Sequence, residues 1–230
     1  MINKTHLTDI FFDLDHTLWD FEANSYATFN QILSDHNFSF DTATFMQAYS
    51  PINHAFWKLY RENKITTEEL RFVRLQKTFE AIKQPQKVAM INVLSNAYIN
   101  QLSTHTHIFE GTIELLEYLK PKYQLHIITN GFENVQQKKM ANAGLAPYFD
   151  VVLTAEKAGV KKPHPVIFEQ ALSMAQTSAS KSLMIGDSYE ADIKGAIDLG
   201  MQAIQFNSHQ EPWHSHCPMV DNLAEIQQYL

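Results

Sequence analysis

Three aspartates stand directly after apolar runs, in positions where they could bind a cation. The stretch IFFDLD places Asp13 and Asp15, with only Leu14 between them, behind Ile10 to Phe12. Like charges this close repel each other, and Asn or Ser would form a solvated turn without that cost, so the pair indicates a bound cation. Asp187 follows the run SLMIG in the same way. Asp13 and Asp187 are hard oxygen ligands that suit Mg²⁺.

The same carboxylates could carry out phosphoryl chemistry. A carboxylate beside a phosphate ester can act as the nucleophile and form an aspartyl-phosphate. A second acid two residues further on can protonate the leaving alkoxide and later deprotonate the attacking water. The charge on the transferring phosphoryl group then needs donors, which the Thr129 hydroxyl, the Asn130-Gly131 backbone and one lysine could supply.

Short apolar runs along the chain predict a parallel sheet that would bring these groups together. The runs DIFF, QLHIIT, SLMIG and QAIQF, with the weaker VVLT at 151–154, each end in polar or small residues. Helical patterns such as ENVQQKKMANAG and YEADIKGAIDLG lie between them and end on Gly144 and Gly200. Ligands of such sheets bind at the carboxyl ends of the strands. The residues expected there are Asp13, Asp15, Thr129, Asn130 and Asp187.

Residues 20 to about 105 have a different pattern, without a convincing strand. TTEELRFVRLQKTFEAI carries apolar residues at helical spacing, and Thr66 or Thr67 with Glu69 or Glu68 could cap that helix. We interpret this block as an inserted α-helical cap domain over 19–107. The α/β core would then comprise 1–18 and 108–230.

Composition and charge limit the classes of function. The chain has 230 residues, is 45% hydrophobic and contains few Gly and Pro, which is typical of a globular protein. Its formal net charge of −7 argues against a nucleic acid polymer as partner. The single Cys217 excludes an internal disulfide and fits a reducing compartment. Neither a signal peptide nor a membrane span is evident, so we expect a soluble, cytoplasmic protein.

Four ordered motifs resemble those of the haloacid dehalogenase (HAD) superfamily: DLDHT (13–17), ITNG (128–131), KPHPVIF (162–168) and GDSYEADIKGA (186–196). The resemblance implies a Rossmann-like core with a helical cap. It implies Asp13 as nucleophile, Asp15 as acid and base, Thr129 as phosphate ligand and Lys162 as the charge-neutralising lysine. It also implies Mg²⁺ held by Asp13, Asp187 and the backbone carbonyl of Asp15.

Several roles stay open at this point. Lys161 precedes Lys162, and the pattern favours Lys162 because it stands directly before a proline. Asp192 either hydrogen-bonds a metal-bound water, as the resemblance implies, or favours the start of a helix electrostatically. His16 is expected either at the surface or in a position where it gates access to the site. The segment HQEPWHSHC (209–217) offers zinc ligands without a matching second pair, so we interpret it as a loop.

The type of reaction is indicated by the second acid, Asp15, and by a closer resemblance to one group within the superfamily. Dehalogenases of the superfamily lack the carboxylate at the position of Asp15, so a phosphatase is favoured. FFDLDHTLWDF, ITNGFENVQQKKM and the cap stretch NHAFWKLYRENKITTEEL resemble bacterial pyrimidine 5′-nucleotidases. This implies a nucleoside monophosphate as the small phosphorylated substrate. The alternatives are a sugar-phosphate or other small-metabolite phosphatase, a β-phosphoglucomutase-like phosphotransferase and a binding protein without turnover; the oligomeric state stays open.

Overall fold

A six-stranded parallel sheet forms the centre of the fold. The computed structural model describes residues 2–230. The strands, in the spatial order β3-β2-β1-β4-β5-β6, are β1 (Asp9–Phe12), β2 (Gln124–Thr129), β3 (Val151–Thr154), β4 (Ser182–Gly186), β5 (Gln202–Phe206) and β6 (Met219–Val220). β1 to β5 coincide with the five apolar runs, so the predicted α/β class is confirmed. The sequence did not indicate β6, because two residues are too few to show a period.

The register of the central strands brings their carboxyl ends level. Phe12 at the end of β1 pairs with Ile127 of β2 and with Ile185 of β4. All four residues of β1 and all five of β4 are buried, as expected of strands covered on both faces. The chain runs from β1 to β2 and β3 on one side and then returns to β4 on the other. This reversal beside β1 is a topological switch point, where open parallel sheets bind ligands.

The helices are α1 (Phe21–Asp35), α2 (Thr42–Arg61), α3 (Thr67–Ala81), α4 (Val88–Gln101), α5 (Thr112–Leu119), α6 (Glu133–Asn142), α7 (Ala155–Ala158), α8 (Pro165–Met174) and α9 (Lys194–Asp198). A π-helical turn, Tyr189–Ile193, precedes α9. Gly144 and Gly200 follow α6 and α9 with φ of +70° and +90°, which confirms both predicted helix ends. Residues 2–230 contain no helix that is both long and apolar enough to cross a membrane.

The chain divides into two compact units. The first consists of the residues up to Phe21 together with Thr106–Leu230, and it contains the sheet with α5 to α9. Its core packs β-strand side chains such as Phe11, Ile128 and Met184 against Phe168 of α8.

The second unit, Glu22–His105, is helical and has an aromatic core. The Phe29 ring stacks on Tyr98 at a centroid distance of 4.5 Å and meets Tyr49 edge-on at 4.6 Å. Thr66 caps α3, and its side chain and that of Glu69 form a reciprocal capping box, as the sequence indicated.

Candidate active site

Three buried carboxylates gather at the carboxyl ends of β1 and β4. Oxygens of Asp13, Asp187 and Asp192 all lie within 4.8 Å of one another, and this is the single such group of three metal-ligand side chains in residues 2–230. Asp13 follows β1 and Asp187 follows β4, whereas Asp192 comes from the π-helical turn. Gly186 makes room for Asp192, because a Cβ at Gly186 would stand 2.3 Å from Asp192 Oδ2.

The electrostatics of this group favour a bound cation. Burial raises the pKa of Asp13 well above its usual value, Lys162 opposes the shift, and the neighbouring carboxylates add to it. Burial also raises the pKa of Asp192. A divalent cation would relieve this repulsion, and an all-carboxylate donor set fits Mg²⁺. The three side chains could therefore hold the metal that the sequence suggested.

Asp187 is oriented by hydrogen bonds from three side chains. Thr17 Oγ1 donates to its Oδ1 at 3.3 Å, His209 Nε2 lies 3.0 Å from Oδ2, and Gln205 Nε2 donates to the backbone oxygen at 2.9 Å. Burial alone would raise the pKa of Asp187, but the hydrogen bond from His209 and the nearby His16 outweigh it and lower the pKa. These contacts hold one carboxylate of the group in its charged form.

Lys162 is a buried ammonium that joins two of the carboxylates. Its Nζ lies 2.5 Å from Asp13 Oδ1 and 2.7 Å from Asp192 Oδ1, and it donates to the Ile128 carbonyl at 2.6 Å. Burial alone would lower the pKa of Lys162, but Asp13 and Asp192 outweigh it and raise the pKa. Lys161 is half-buried, and it is Lys162 that reaches Asp13.

Asn130 fixes the backbone of that lysine. Its Oδ1 accepts from the Lys162 backbone N–H at 2.8 Å, and its Nδ2 donates to the Lys162 carbonyl at 3.1 Å. The side chain of Asn130 thus positions Lys162, and the role of its backbone as a donor to the substrate stays a prediction.

Thr129, at the end of β2, is left with a proton to donate. Its Oγ1 accepts from the Gly131 N–H at 3.1 Å and from Gln136 Nε2 at 2.8 Å. A hydroxyl that accepts two hydrogen bonds still has its own O–H. That O–H suits a phosphoryl oxygen, which accepts and never donates when ionised.

Asp15 is held by two side chains that the sequence did not single out. Lys139 Nζ lies 2.5 Å from Asp15 Oδ1, and Gln136 Nε2 donates to Oδ2 at 2.8 Å. Both donors are on α6, three residues apart and therefore on one face of the helix. Their neighbours Gln137 and Lys138 are exposed, so the run QQKK alone could not show which polar residues point inward.

The segment 209–217 lies between β5 and β6 and is a loop, as the sequence indicated. His209 nevertheless contacts Asp187, and its ring lies 4.6 Å from that of His16. No local sequence signal indicates this contact, since the loop is long and His209 is far from Asp187 along the chain.

Buried carboxylates and a buried lysine at the strand ends of a parallel sheet are the arrangement expected of hydrolases that use an aspartate nucleophile. The chain belongs to that class: residues 10–206 match the haloacid dehalogenase-like hydrolase family, and the match covers most of the sheet and the whole helical unit. The chain is therefore a HAD-type phosphohydrolase.

Two relatives of known activity resemble the chain over nearly its whole length. Pyrimidine 5′-nucleotidase YjjG of Escherichia coli K12 is 33% identical over 226 residues, which covers 96% of either chain. Pyrimidine 5′-nucleotidase PynA of Streptococcus pneumoniae R6 is also 33% identical, over 96% of this chain and 92% of PynA. The magnesium-bound crystal structure of the HAD-hydrolase YfnB from Bacillus subtilis superimposes with a TM-score of 0.85 at 27% identity, covering 97% and 98% of the two chains.

Proposed function

We propose that this protein is a Mg²⁺-dependent phosphomonoesterase that hydrolyses nucleoside 5′-monophosphates, with a preference for pyrimidine nucleotides. The observation that carries the chemistry is the buried Asp13 carboxylate beside Lys162, among two further carboxylates. The substrate class is supported by the similarity to two pyrimidine 5′-nucleotidases, which extends through the helical unit.

In the first step, an oxygen of Asp13 attacks phosphorus and forms a new P–O bond. The bond from phosphorus to the ribose oxygen breaks, and that oxygen takes a proton from Asp15 and leaves as the nucleoside hydroxyl. Lys162 and the Thr129 hydroxyl offset the negative charge of the transferring group. Asp13, Asp187 and the Asp15 carbonyl, with Asp192 close by, would hold Mg²⁺, which would supply further positive charge at the same site.

In the second step, Asp15 acts as the base. It takes a proton from water while the water oxygen attacks the phosphorus of the aspartyl-phosphate. The bond from phosphorus to Asp13 breaks, so that inorganic phosphate and a free carboxylate result. Each cycle restores the proton that Asp15 gave to the leaving group.

We assign the selection of the leaving group to the helical segment predicted as a cap, residues 19–107. Trp57 of α2 supports this assignment, because its ring is partly exposed, packs edge-on against the buried Tyr60 at 5.6 Å, and is of the kind that stacks on a nucleobase.

The test is phosphate release from a panel of phosphomonoesters, with Mg²⁺ and with EDTA. The panel contains dUMP, dTMP, UMP, purine monophosphates, sugar phosphates and phosphoglycolate. We expect Mg²⁺-dependent release that is strongest on the pyrimidine nucleotides, with one phosphate per nucleoside formed. Highest activity on sugar phosphates would contradict the nucleotidase assignment, and product without free phosphate would indicate a phosphotransferase.

A further inference from the structure

Two side chains of α6 bind both oxygens of the Asp15 carboxylate, and we call Lys139 and Gln136 the α6 clamp. Lys139 Nζ lies 2.5 Å from Oδ1 and Gln136 Nε2 lies 2.8 Å from Oδ2. Both side chains are buried, whereas the Asp15 side chain is 20% exposed. The clamp therefore approaches Asp15 from the protein interior and leaves its outer side open.

The position of Lys139 is fixed by more than one contact. Its ammonium lies 4.1 Å from the centre of the Trp19 ring and 5.4 Å from that of Phe21. Aromatic faces attract a cation, but a buried ammonium also needs an anion close by. Asp15 provides that anion. The ion pair with Asp15 and the rings of Trp19 and Phe21 therefore fix the position of the Lys139 ammonium together.

Gln136 connects Asp15 to the phosphate-binding side of the site. Its Nε2 donates both to Asp15 Oδ2 and to Thr129 Oγ1, at 2.8 Å each, which uses both amide hydrogens. Its Oε1 is buried without a hydrogen-bond partner among the described residues. The two donated bonds therefore set the orientation of the amide. Gly131 permits it, since a Cβ there would lie 2.4 Å from Gln136 Nε2.

We infer that Lys139 and Gln136 are positioning residues that hold the Asp15 carboxylate for its two proton transfers. This inference rests on the proposed function. Lys139 binds Oδ1 more strongly than Gln136 binds Oδ2, because a hydrogen bond between two charged groups is stronger than one from a neutral amide. Oδ2 has the neutral Gln136 as its partner and shares it with Thr129, so the clamp connects Asp15 to the strand end that carries Thr129.

Two substrates with different leaving groups distinguish the positioning of Asp15 from a merely structural role of the clamp. The oxygen of p-nitrophenol is a good leaving group that departs without a proton, whereas a ribose oxygen needs one. The variant Lys139→Met keeps the length of the side chain above Trp19 and removes its charge. We expect its kcat/KM to fall about 100-fold on UMP, a typical share for general acid catalysis, and to change less than about threefold on p-nitrophenyl phosphate.

The second proton transfer gives an independent signal with the same variant. On p-nitrophenyl phosphate the first step stays fast, while attack of water on the aspartyl-phosphate becomes slow because Asp15 is misplaced as a base. A rapid burst of about one p-nitrophenol per active site should then precede the steady state. Lys138→Met, on the exposed side of α6, is the matched control and should behave like the wild type on both substrates.

A double-mutant comparison shows whether Lys139 acts through Asp15. In an Asp15→Asn background, Lys139→Met should lower kcat/KM on UMP by less than about twofold further, because the group it positions is gone. Equal losses on both substrates without a burst, or a full further loss in the Asp15→Asn background, would overturn the inference. If Lys139→Met does not fold, Gln136→Met tests the clamp in its place. This variant should also lose more activity on UMP than on p-nitrophenyl phosphate.

The outcomes also distinguish this inference from the proposed function. A wild-type enzyme that is inactive on UMP but active on p-nitrophenyl phosphate would contradict the nucleotide assignment alone. The clamp would then be tested in the same way on the alkyl phosphate of the panel that the wild type hydrolyses fastest.

Discussion

At the scale of single residues, the Asp13 carboxylate is expected to cost stability when no metal is bound. Its pKa is raised in the folded protein, chiefly by burial, so the folded state binds the proton more tightly than the unfolded state does. An acid with a raised pKa destabilises the fold once the pH exceeds its unfolded value, increasingly up to its folded pKa. Asp192 remains 2.7 Å from Lys162 as its anion, so Asp13→Asn should raise the melting temperature in EDTA at pH 7.5, by about 2–4 °C for each kcal/mol of relieved electrostatic cost.

The same variant should release no phosphate, because an amide is not a competent nucleophile here. Melting curves in EDTA from pH 7.5 down to pH 4 check the electrostatic reason, since the gap between variant and wild type should narrow as Asp13 becomes protonated. An active Asn variant would contradict the proposed nucleophile, and a lower melting temperature at pH 7.5 would contradict the electrostatic account.

The Cys217 thiol should react slowly with alkylating agents at neutral pH. Burial raises the pKa of its thiol to about 11, so at pH 8 only about a thousandth of it is the reactive thiolate. Alkylation by iodoacetamide, followed by mass spectrometry, should be slow at pH 7.5 and accelerate steadily up to pH 10. Complete modification within minutes at pH 7.5, in protein that stays folded, would contradict the raised pKa of Cys217.

The sequence located part of this site because the strand-end rule applies to residues beside strands. Asp13, Thr129 and Asp187 each follow or end a buried apolar run, and the parallel register brings such residues to one edge. Lys139 and His209 lie on a helix and in a loop, where polar residues usually face water. Only the packing of α6 and of the 209–217 loop shows that these two side chains point inward.

At the scale of elements, the capping box of α3 should contribute measurably to stability. Thr66 Oγ1 accepts from the Glu69 N–H at 3.1 Å, and Glu69 Oε2 accepts from the Thr66 N–H at 2.7 Å. Thr66→Ala leaves the first of these N–H groups without its partner and should lower the free energy of unfolding by about 0.5–2 kcal/mol. Urea denaturation measures the loss. Thr66→Ser keeps the hydroxyl, and a loss as large as that of Ala would show that the cap is not the cause.

Element boundaries were predictable where a local signal exists. Gly144 and Gly200 marked two helix ends because a left-handed residue is needed there. The π-helical turn Tyr189–Ile193 was not predictable, since YEADIKGAID has an ordinary helical pattern. The wider turn accompanies the inward course of Asp192. Its contact with Lys162 is tertiary and absent from any local pattern, whereas its hydrogen bond from the Ser188 N–H joins residues only four apart.

At the scale of the whole molecule, two compact units share one chain, and metal binding should stabilise them unequally. All three carboxylates of the candidate metal group belong to the unit that contains the sheet. A chain of two units can unfold in more than one transition. Hydrogen exchange should therefore show Mg²⁺-dependent protection after β1 and β4, with smaller changes in α3, whose stability comes from its own cap and aromatic core.

Mg²⁺ should also raise the melting temperature of the protein as a whole. A ligand at 100 times its dissociation constant stabilises the folded state by about 2.7 kcal/mol, which corresponds to a shift of roughly 5–11 °C for a chain of this size. Differential scanning fluorimetry with Mg²⁺ and with EDTA measures it. The net charge of −7 means that any salt relieves some repulsion, so KCl at equal ionic strength is the reference. Asp187→Asn should lose most of the shift, and an undiminished shift in that variant would place the bound Mg²⁺ elsewhere.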